Sequence, residues 1–141
     1  MKVKFTVPGV VVGKQRPKFS RQGLYVRTFT PQKTVNYETL VKMEYFRQCK
    51  SKKLSGAIRA EMRFYFPIPK SESKKKQAAM LSGEIRHTKK SDIDNCIKSV
   101  LDGLNKMAFD DDGQIAEIHA YKYYSEEPRA EITLEEIYQE A

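Results

Sequence analysis

Cysteine is scarce in this chain: Cys49 and Cys96 are the two in 141 residues. Two thiols make neither a disulfide framework nor a four-ligand zinc site. The histidines, His87 and His119, stand alone with no second ligand at zinc spacing, so they read as structural or DNA-adjacent. No apolar run approaches the roughly 20 residues of a membrane-spanning helix. The opening MKVKFTVPGVVVGK lacks a secretory apolar region, because Pro8 and Gly9 interrupt it. Without an export signal the thiols are expected to stay reduced, in a cytoplasmic protein. A glycine-rich phosphate loop, a Ser-His-Asp pattern and an internal repeat are all missing. No linker is long enough to divide the chain, so one domain over residues 1–141 is expected. The 40% hydrophobic and 31% charged shares are those of a globular chain.

Acidic residues are scarce over most of the chain and crowded at its end. Residues 1–91 carry 22 basic and 5 acidic side chains, a net +17; residues 92–141 carry 4 and 13, a net −9. The total is +8. A basic majority of this kind points to a polyanion, most often nucleic acid. The acidic segment needs its own explanation, since carboxylates repel phosphates unless a metal or a proton intervenes.

Val3, Phe5 and Val7 alternate with polar residues as a first strand. Residues 13–30, rich in Gly, Pro, Lys and Arg, predict a loop or irregular hairpin. Thr30 and Pro31 look like an N-cap and a first helical position. The following helix, 31–49, is expected to bury Val35, Leu40, Val41, Tyr45 and Phe46. Residues 57–66 predict a strand with Ile58, Ala60, Met62, Phe64 and Phe66 on one face, ended by Pro67 and Pro69. Ser71 or Ser73 caps a short helix, KKKQAAMLS, closed by Gly83; residues 84–90 form a basic linker. In the next helix Ile93, Ile97, Val100, Leu101, Leu104 and Met107 recur with a one-sided 3.6-residue pattern. Residues 115–124 and 129–136 alternate and are expected to pair as two strands around Glu127-Pro128. The order predicts an α+β fold, a mixed β-sheet packed against helices.

The chemistry concentrates in KKSDIDNCIKSVLDGL and the acidic turn after it. Asp92 and Asp94 open the helix, and Asp94, Lys98 and Asp102 share its polar face at four-residue spacing. Asp110, Asp111 and Asp112 follow the helix's far end. Carboxylates drawn from two segments are the usual protein share of a Mg²⁺ site acting on phosphodiesters. A nearby ammonium such as Lys98 can stabilise charge on the phosphorus or orient water. Each piece also has a structural use. Aspartates suit a first helical turn, Asp94 and Lys98 suit a surface ion pair, and an acidic triplet before Gly113 suits a turn. A calcium loop fails on spacing from both Asp92 and Asp110.

The run HTKKSDIDNCIKSVLDGLNKMAFDDDGQI resembles the signature of the RusA family of Holliday-junction resolvases, common in prophages. GKQRPKF, YVRTFTPQKTVNYE and PIPKSESKKKQAAMLSGEIRHTKK are similar to phage members, so the likeness covers roughly residues 2–135. It implies metal-binding aspartates at Asp92, Asp94 and Asp112, with Asp112 as the second Asp of the Asp-Asp-Gly-Gln string. It implies a catalytic lysine at Lys98 and a structural place for Asp102. It implies a homodimer that nicks two opposed strands of a four-way DNA junction with Mg²⁺, Mn²⁺ being a conceivable substitute. Ser91 stands where the family usually has Pro, and a serine there can cap the helix. The acidic triplet leaves Asp111 and Asp112 as competing registers.

Basic residues around this centre are expected to grip DNA backbone: Lys14, Arg16, Lys18, Arg21 and Arg27 in the first loop, and Lys74, Lys75, Lys76, Lys89 and Lys90 later. Phe19 or Phe29 would wedge into the junction or join the core. About six phosphate contacts would lower affinity roughly 10³-fold between 50 and 200 mM salt. Two rival readings use the same residues: a nuclease cutting flaps, and a non-catalytic junction or single-strand binding protein with the aspartates as helix caps. An RNA-binding reading lacks an RRM or KH signature.

Overall fold

A computed structural model describes residues 1–15, 18–22, 25–29 and 31–138, with side chains over 16–30 outside the description. The alternating segments become strands. β1 spans Lys2–Pro8, β2 Lys18–Gln22, β3 Tyr25–Phe29, β4 Ile58–Pro67, β5 Ile115–Ser125 and β6 Arg129–Glu136. The helices are α1 Gln32–Cys49, α2 Lys74–Ser82 and α3 Ile93–Leu104, with a short 3-10 turn at Asp112–Gln114. Among the described residues, four strands make one mixed sheet in the order β1-β6-β4-β5, and β2 and β3 pair separately as an antiparallel hairpin. The fold is the expected α+β kind.

One face of the sheet is dry. Val3, Phe5 and Val7 from β1, Ile58 to Phe66 on alternate positions of β4, and Ala130, Ile132 and Leu134 from β6 are all buried. They pack with Tyr37, Val41 and Tyr45 of α1 and Cys96, Val100 and Leu104 of α3. Each large side chain so buried contributes about 1.5–3 kcal/mol. The two helices approach closely at Gly103, where a Cβ would lie 2.8 Å from the Val41 Cβ and 3.0 Å from the Glu38 carbonyl oxygen.

Several sequence-based expectations change in detail. β5 and β6 do not pair with each other. β4 lies between them, parallel to β5 and antiparallel to β6. The most apolar strand takes the centre, because only a central strand is covered at both edges. α1 starts one residue later than expected: Pro31 is the N-cap, with ψ 142°, and no side chain caps the helix. Thr30 lies outside the described residues. Its buried stripe is Thr34, Tyr37, Val41, Tyr45 and Cys49, while Val35 and Phe46 are exposed and Leu40 is half-buried. The tyrosines go inward because their rings pack while at least one hydroxyl finds a partner: Tyr45 donates to the Lys52 carbonyl. α3 ends at Leu104 rather than Met107, since Lys106 takes a left-handed φ of 69° that turns the chain back toward β5. α2 is as expected, with Ser73 accepting from the Lys76 amide and Gly83 closing it at φ 88°.

Candidate active site

Asp92 and Asp94 are held by the start of α3. Asp92 is the N-cap in extended conformation, and its backbone carbonyl accepts from the Cys96 amide at 3.1 Å. Its carboxylate caps nothing. Ser91, expected to cap, does not; its carbonyl instead accepts from the Lys122 ammonium at 2.8 Å. The Lys89 carbonyl accepts from that same ammonium at 2.8 Å. On the other side the Lys14 amide donates to the Asn95 carbonyl at 2.9 Å. Gly13 permits this approach, because a Cβ there would sit 2.8 Å from the Ser91 Cβ. The helix start is thus clamped from β5 and from the segment after β1.

Two open grooves flank the pair. One, of about 410 Å³, is walled by Arg86, His87, Lys89, Tyr121 and Lys122. The other, of about 640 Å³, is walled by residues 11–15 with Lys33, Lys90 and Asn95. Asp92 and Asp94 line both. Cations therefore surround two exposed carboxylates.

The aspartates divide into two groups. Among the described residues Asp92, Asp94 and Asp112 are exposed, and their carboxylates make no ion pair or hydrogen bond. Their neighbours are all engaged. Asp102 meets the Lys14 ammonium at 3.0 Å and Asp110 meets Lys53 at 2.8 Å. The Asp111 carboxylate accepts from the Gly113 amide at 3.0 Å and completes a capping box with Gln114. Asp111 is occupied by the turn, which leaves Asp112 as the available carboxylate of the triplet. The Asp94–Lys98 surface pair that spacing allows is also not formed among the described residues, and Lys98 stands exposed one turn along from Asp94.

The three unengaged carboxylates do not meet within one chain. α3 has 12 residues and runs about 18 Å from Asp92 toward the acidic turn. The turn is fixed at the far end, where the Gln114 side-chain amide donates to the Leu54 and Gly56 carbonyls at 3.4 and 3.1 Å. β5 then returns, so that Lys122 rather than Asp112 reaches the helix start. Among the described residues no group of three Asp, Glu, His or Cys side chains is placed to hold one ion. The expected convergence of Asp92, Asp94 and Asp112 is not seen among the described residues of a single molecule, where α3 lies between the two segments. Asp92 and Asp94 alone still suit Mg²⁺, which commonly takes one or two protein carboxylates and fills its other positions with water and phosphate.

The basic residues fall in different places. Lys89 and Lys90 are exposed and wall one groove each. Lys74, Lys75 and Lys76 stand exposed in the first turn of α2, Lys76 within 3.7 Å of Glu72. Lys18 and Arg21 lie on β2 and Arg27 on β3, with Phe19 and Phe29 on the same strands, all with side chains outside the described residues. Arg16 falls outside them altogether. Lys14 is engaged within the fold. Its ammonium bridges Glu38 at 3.1 Å and Asp102 at 3.0 Å and is mostly buried. Burial alone would lower its pKa, but the hydrogen bonds and charges of Asp102 and Glu38 outweigh that and raise it. It joins α1 to α3 at the wall of the second groove.

Residues that spacing did not single out complete the site. Lys122 sits on the helix-facing side of β5, in line with Ile118, Ala120 and Tyr124, and a lone charge at an inward position was the available signal. His87 stacks on Phe66 at 3.7 Å and meets the Tyr124 edge at 5.3 Å. Burial, then the charges of Lys122 and Lys89, push its pKa down to about 4. It is a neutral wall of the groove. Cys96, just beneath, is pushed up to about 11, chiefly by burial, and behaves as a small core residue.

No described helix is long and apolar enough to cross a membrane. A comparison with known families matches residues 8–135 to the family described as Endodeoxyribonuclease RusA. Among curated proteins, the uncharacterized protein YqaN of Bacillus subtilis (strain 168) is 34% identical over 137 residues, covering 96% of each chain. The family implies Holliday-junction resolvase activity and branched DNA as the partner. By these matches the chain belongs to the RusA endodeoxyribonuclease family and is a nuclease.

Proposed function

We propose that this protein resolves four-way DNA junctions in the cytoplasm, during DNA recombination and repair, as a two-fold homodimer using Mg²⁺. Each active site is built on Asp92 and Asp94 of one copy, completed by Asp112 of the other. The observation that carries this reading is the division among the aspartates. The three that the family resemblance points to are the ones left unengaged among the described residues, while Asp102, Asp110 and Asp111 serve the fold. The distance between the two ends of α3 supports the sharing between copies, since one chain cannot fold its own acidic turn onto its own helix start. A two-fold dimer also suits a substrate with two opposed strands.

The bound cation supplies charge for a phosphoryl oxygen and a more acidic water. The chain's own residues do the rest. Asp92 and Asp94 offer oxygen ligands from a helix start fixed by Lys122 and Gly13. Lys98 sets an ammonium one turn away, where it can counter charge building on the phosphorus. Lys89 and Lys90 draw the strand's phosphates into the two grooves. Arg16 of the first basic segment, Lys18, Arg21 and Arg27 of the β2–β3 hairpin and the α2 lysines extend the grip outward.

Two experiments test this. A mobile four-way junction, a flap and a plain duplex are supplied with Mg²⁺. Paired, symmetric nicks confined to the junction are expected, and preferential cutting of the flap would overturn the substrate. Next, Asp94→Asn and Asp112→Asn proteins, each inactive alone, are mixed and allowed to exchange subunits. A shared site predicts that mixed dimers regain one working centre and make single nicks. No recovery despite exchange would reject the sharing.

A further inference from the structure

Three guanidinium groups lie against tyrosine rings around β4 and β5. Arg129 is 3.9 Å from the Tyr65 ring centre, Arg63 is 5.6 Å from Tyr121, and Arg86 is 4.0 Å from Tyr123. The rings form a ladder, with Tyr65 and Tyr123 stacked at 5.4 Å and Tyr121 and Tyr123 at 6.0 Å. Such a ladder braces the helix-free face of a sheet without any ligand. The charges above it distinguish its members. Arg129 pairs with Glu131 at 2.9 Å and Arg63 with Glu61 at 2.8 Å. Arg86 has no carboxylate partner among the described residues, and it alone of the three lines the groove that holds Asp92 and Asp94.

We propose that Arg86 is a phosphate-holding residue of this groove, seated flat on Tyr123 and pinned through Nε to the Lys122 carbonyl. The Nε donates to that carbonyl at 2.8 Å. This leaves the two terminal amino groups directed to other partners. A guanidinium fixed at its Nε and one face loses little freedom on binding, and its planar donors match two oxygens of one phosphate. The ligand is a phosphodiester of the DNA strand that runs through the groove past Asp92 and Asp94. Lys122 then serves twice: its carbonyl sets Arg86 and its ammonium sets the segment before Asp92. The proposal rests on that groove being where DNA is cut.

The test uses full-length protein and a labelled four-way junction without divalent ion, with dissociation constants measured from 50 to 200 mM salt. Arg86→Gln is expected to weaken binding about 10-fold and to flatten the slope of log affinity on log salt by about 0.9, the loss of one phosphate contact. Arg63→Gln removes the same charge from an ion-paired position and should leave both unchanged. Tyr123→Ala keeps the charge but removes its seat, so affinity falls about 3-fold at an unchanged slope. Equal slopes for Arg86→Gln and Arg63→Gln overturn the proposal. So does a fall in melting temperature for Arg86→Gln with the wild-type slope, which would make Arg86 a loop tie only. Wild-type protein that fails to nick junctions in Mg²⁺ defeats the functional reading. Wild-type nicking with unaltered Arg86→Gln binding defeats this inference alone.

Discussion

The two ends of α3 carry the same residue type under opposite conditions. At the C-terminal end and just beyond, Asp102, Asp110 and Asp111 are tied to Lys14, Lys53 and the Gly113 amide. At the N-terminal end Asp92 and Asp94 have grooves on both sides and bind no side chain among the described residues. A helix start favours carboxylates electrostatically, yet Asp92 does not use its side chain to cap. Carboxylates concentrated among lysines and unpaired among the described residues offer open oxygen ligands. The contrast also separates neighbours in sequence: Asp111 belongs to the turn and Asp112 does not.

The largest effects should come from the unengaged set. Asp94→Asn and Asp112→Asn are each expected to lower junction cleavage by about 10²–10³-fold or more, with melting temperature and junction binding unchanged. A gel assay for nicking beside an anisotropy titration separates these. Full activity in Asp112→Asn would break the division between Asp111 and Asp112. Lys98→Gln should lower turnover at saturating DNA more than it lowers affinity.

The engaged set should respond in the opposite way. Lys14→Met leaves Glu38 and Asp102 facing each other without their shared cation, and is expected to cost about 1–3 kcal/mol of stability. The change should appear in chemical denaturation, with junction affinity little altered. A large loss of affinity without loss of stability would return Lys14 to the DNA-contact group. Asp111→Ala removes the cap of the 3-10 turn and should cost about 1 kcal/mol, with cleavage near wild type once folded.

Much of this contrast was legible before folding. The β4 face, the Ser73 cap, the Gly83 stop and the acidic residues at the start of α3 follow from local spacing and end chemistry. What spacing could not give was distance along the third dimension. Asp92 and Asp112 read as one cluster because a short stretch of sequence joins them, but that stretch is mostly helix and acts as a rigid spacer. Strand order failed for a similar reason: a short connection suggests a hairpin, while β4 gains more by lying between β5 and β6. The α1 stripe misled because Val35 and Phe46 score as more apolar than Tyr37, whose ring packs inward. Lys14 looked like its loop neighbours, and only the position of Glu38 and Asp102 across two helices distinguishes it.

The last expected effect is confined to low pH and concerns the groove wall beside the unengaged carboxylates. His87 is held neutral by burial and by Lys122 and Lys89, with its pKa pushed down to about 4 from an ordinary 6.5. Its Nδ1 is buried without a hydrogen-bond partner among the described residues. The unfolded chain takes up a proton on this ring near pH 6.5, whereas the folded chain resists until about pH 4. Stability contributed by the neutral ring is therefore present above pH 6.5 and is lost as pH falls toward 4. His87→Phe keeps the stack on Phe66 and removes the titration. The variant should gain on wild type as pH drops from 6.5 to 4, with a constant gap above 7, as read from denaturant midpoints at each pH. A gap that stays constant across that range would mean that His87 takes up its proton in the folded protein as readily as in water, and that the wall beside Asp92 is wetter than its packing on Phe66 and Tyr124 implies.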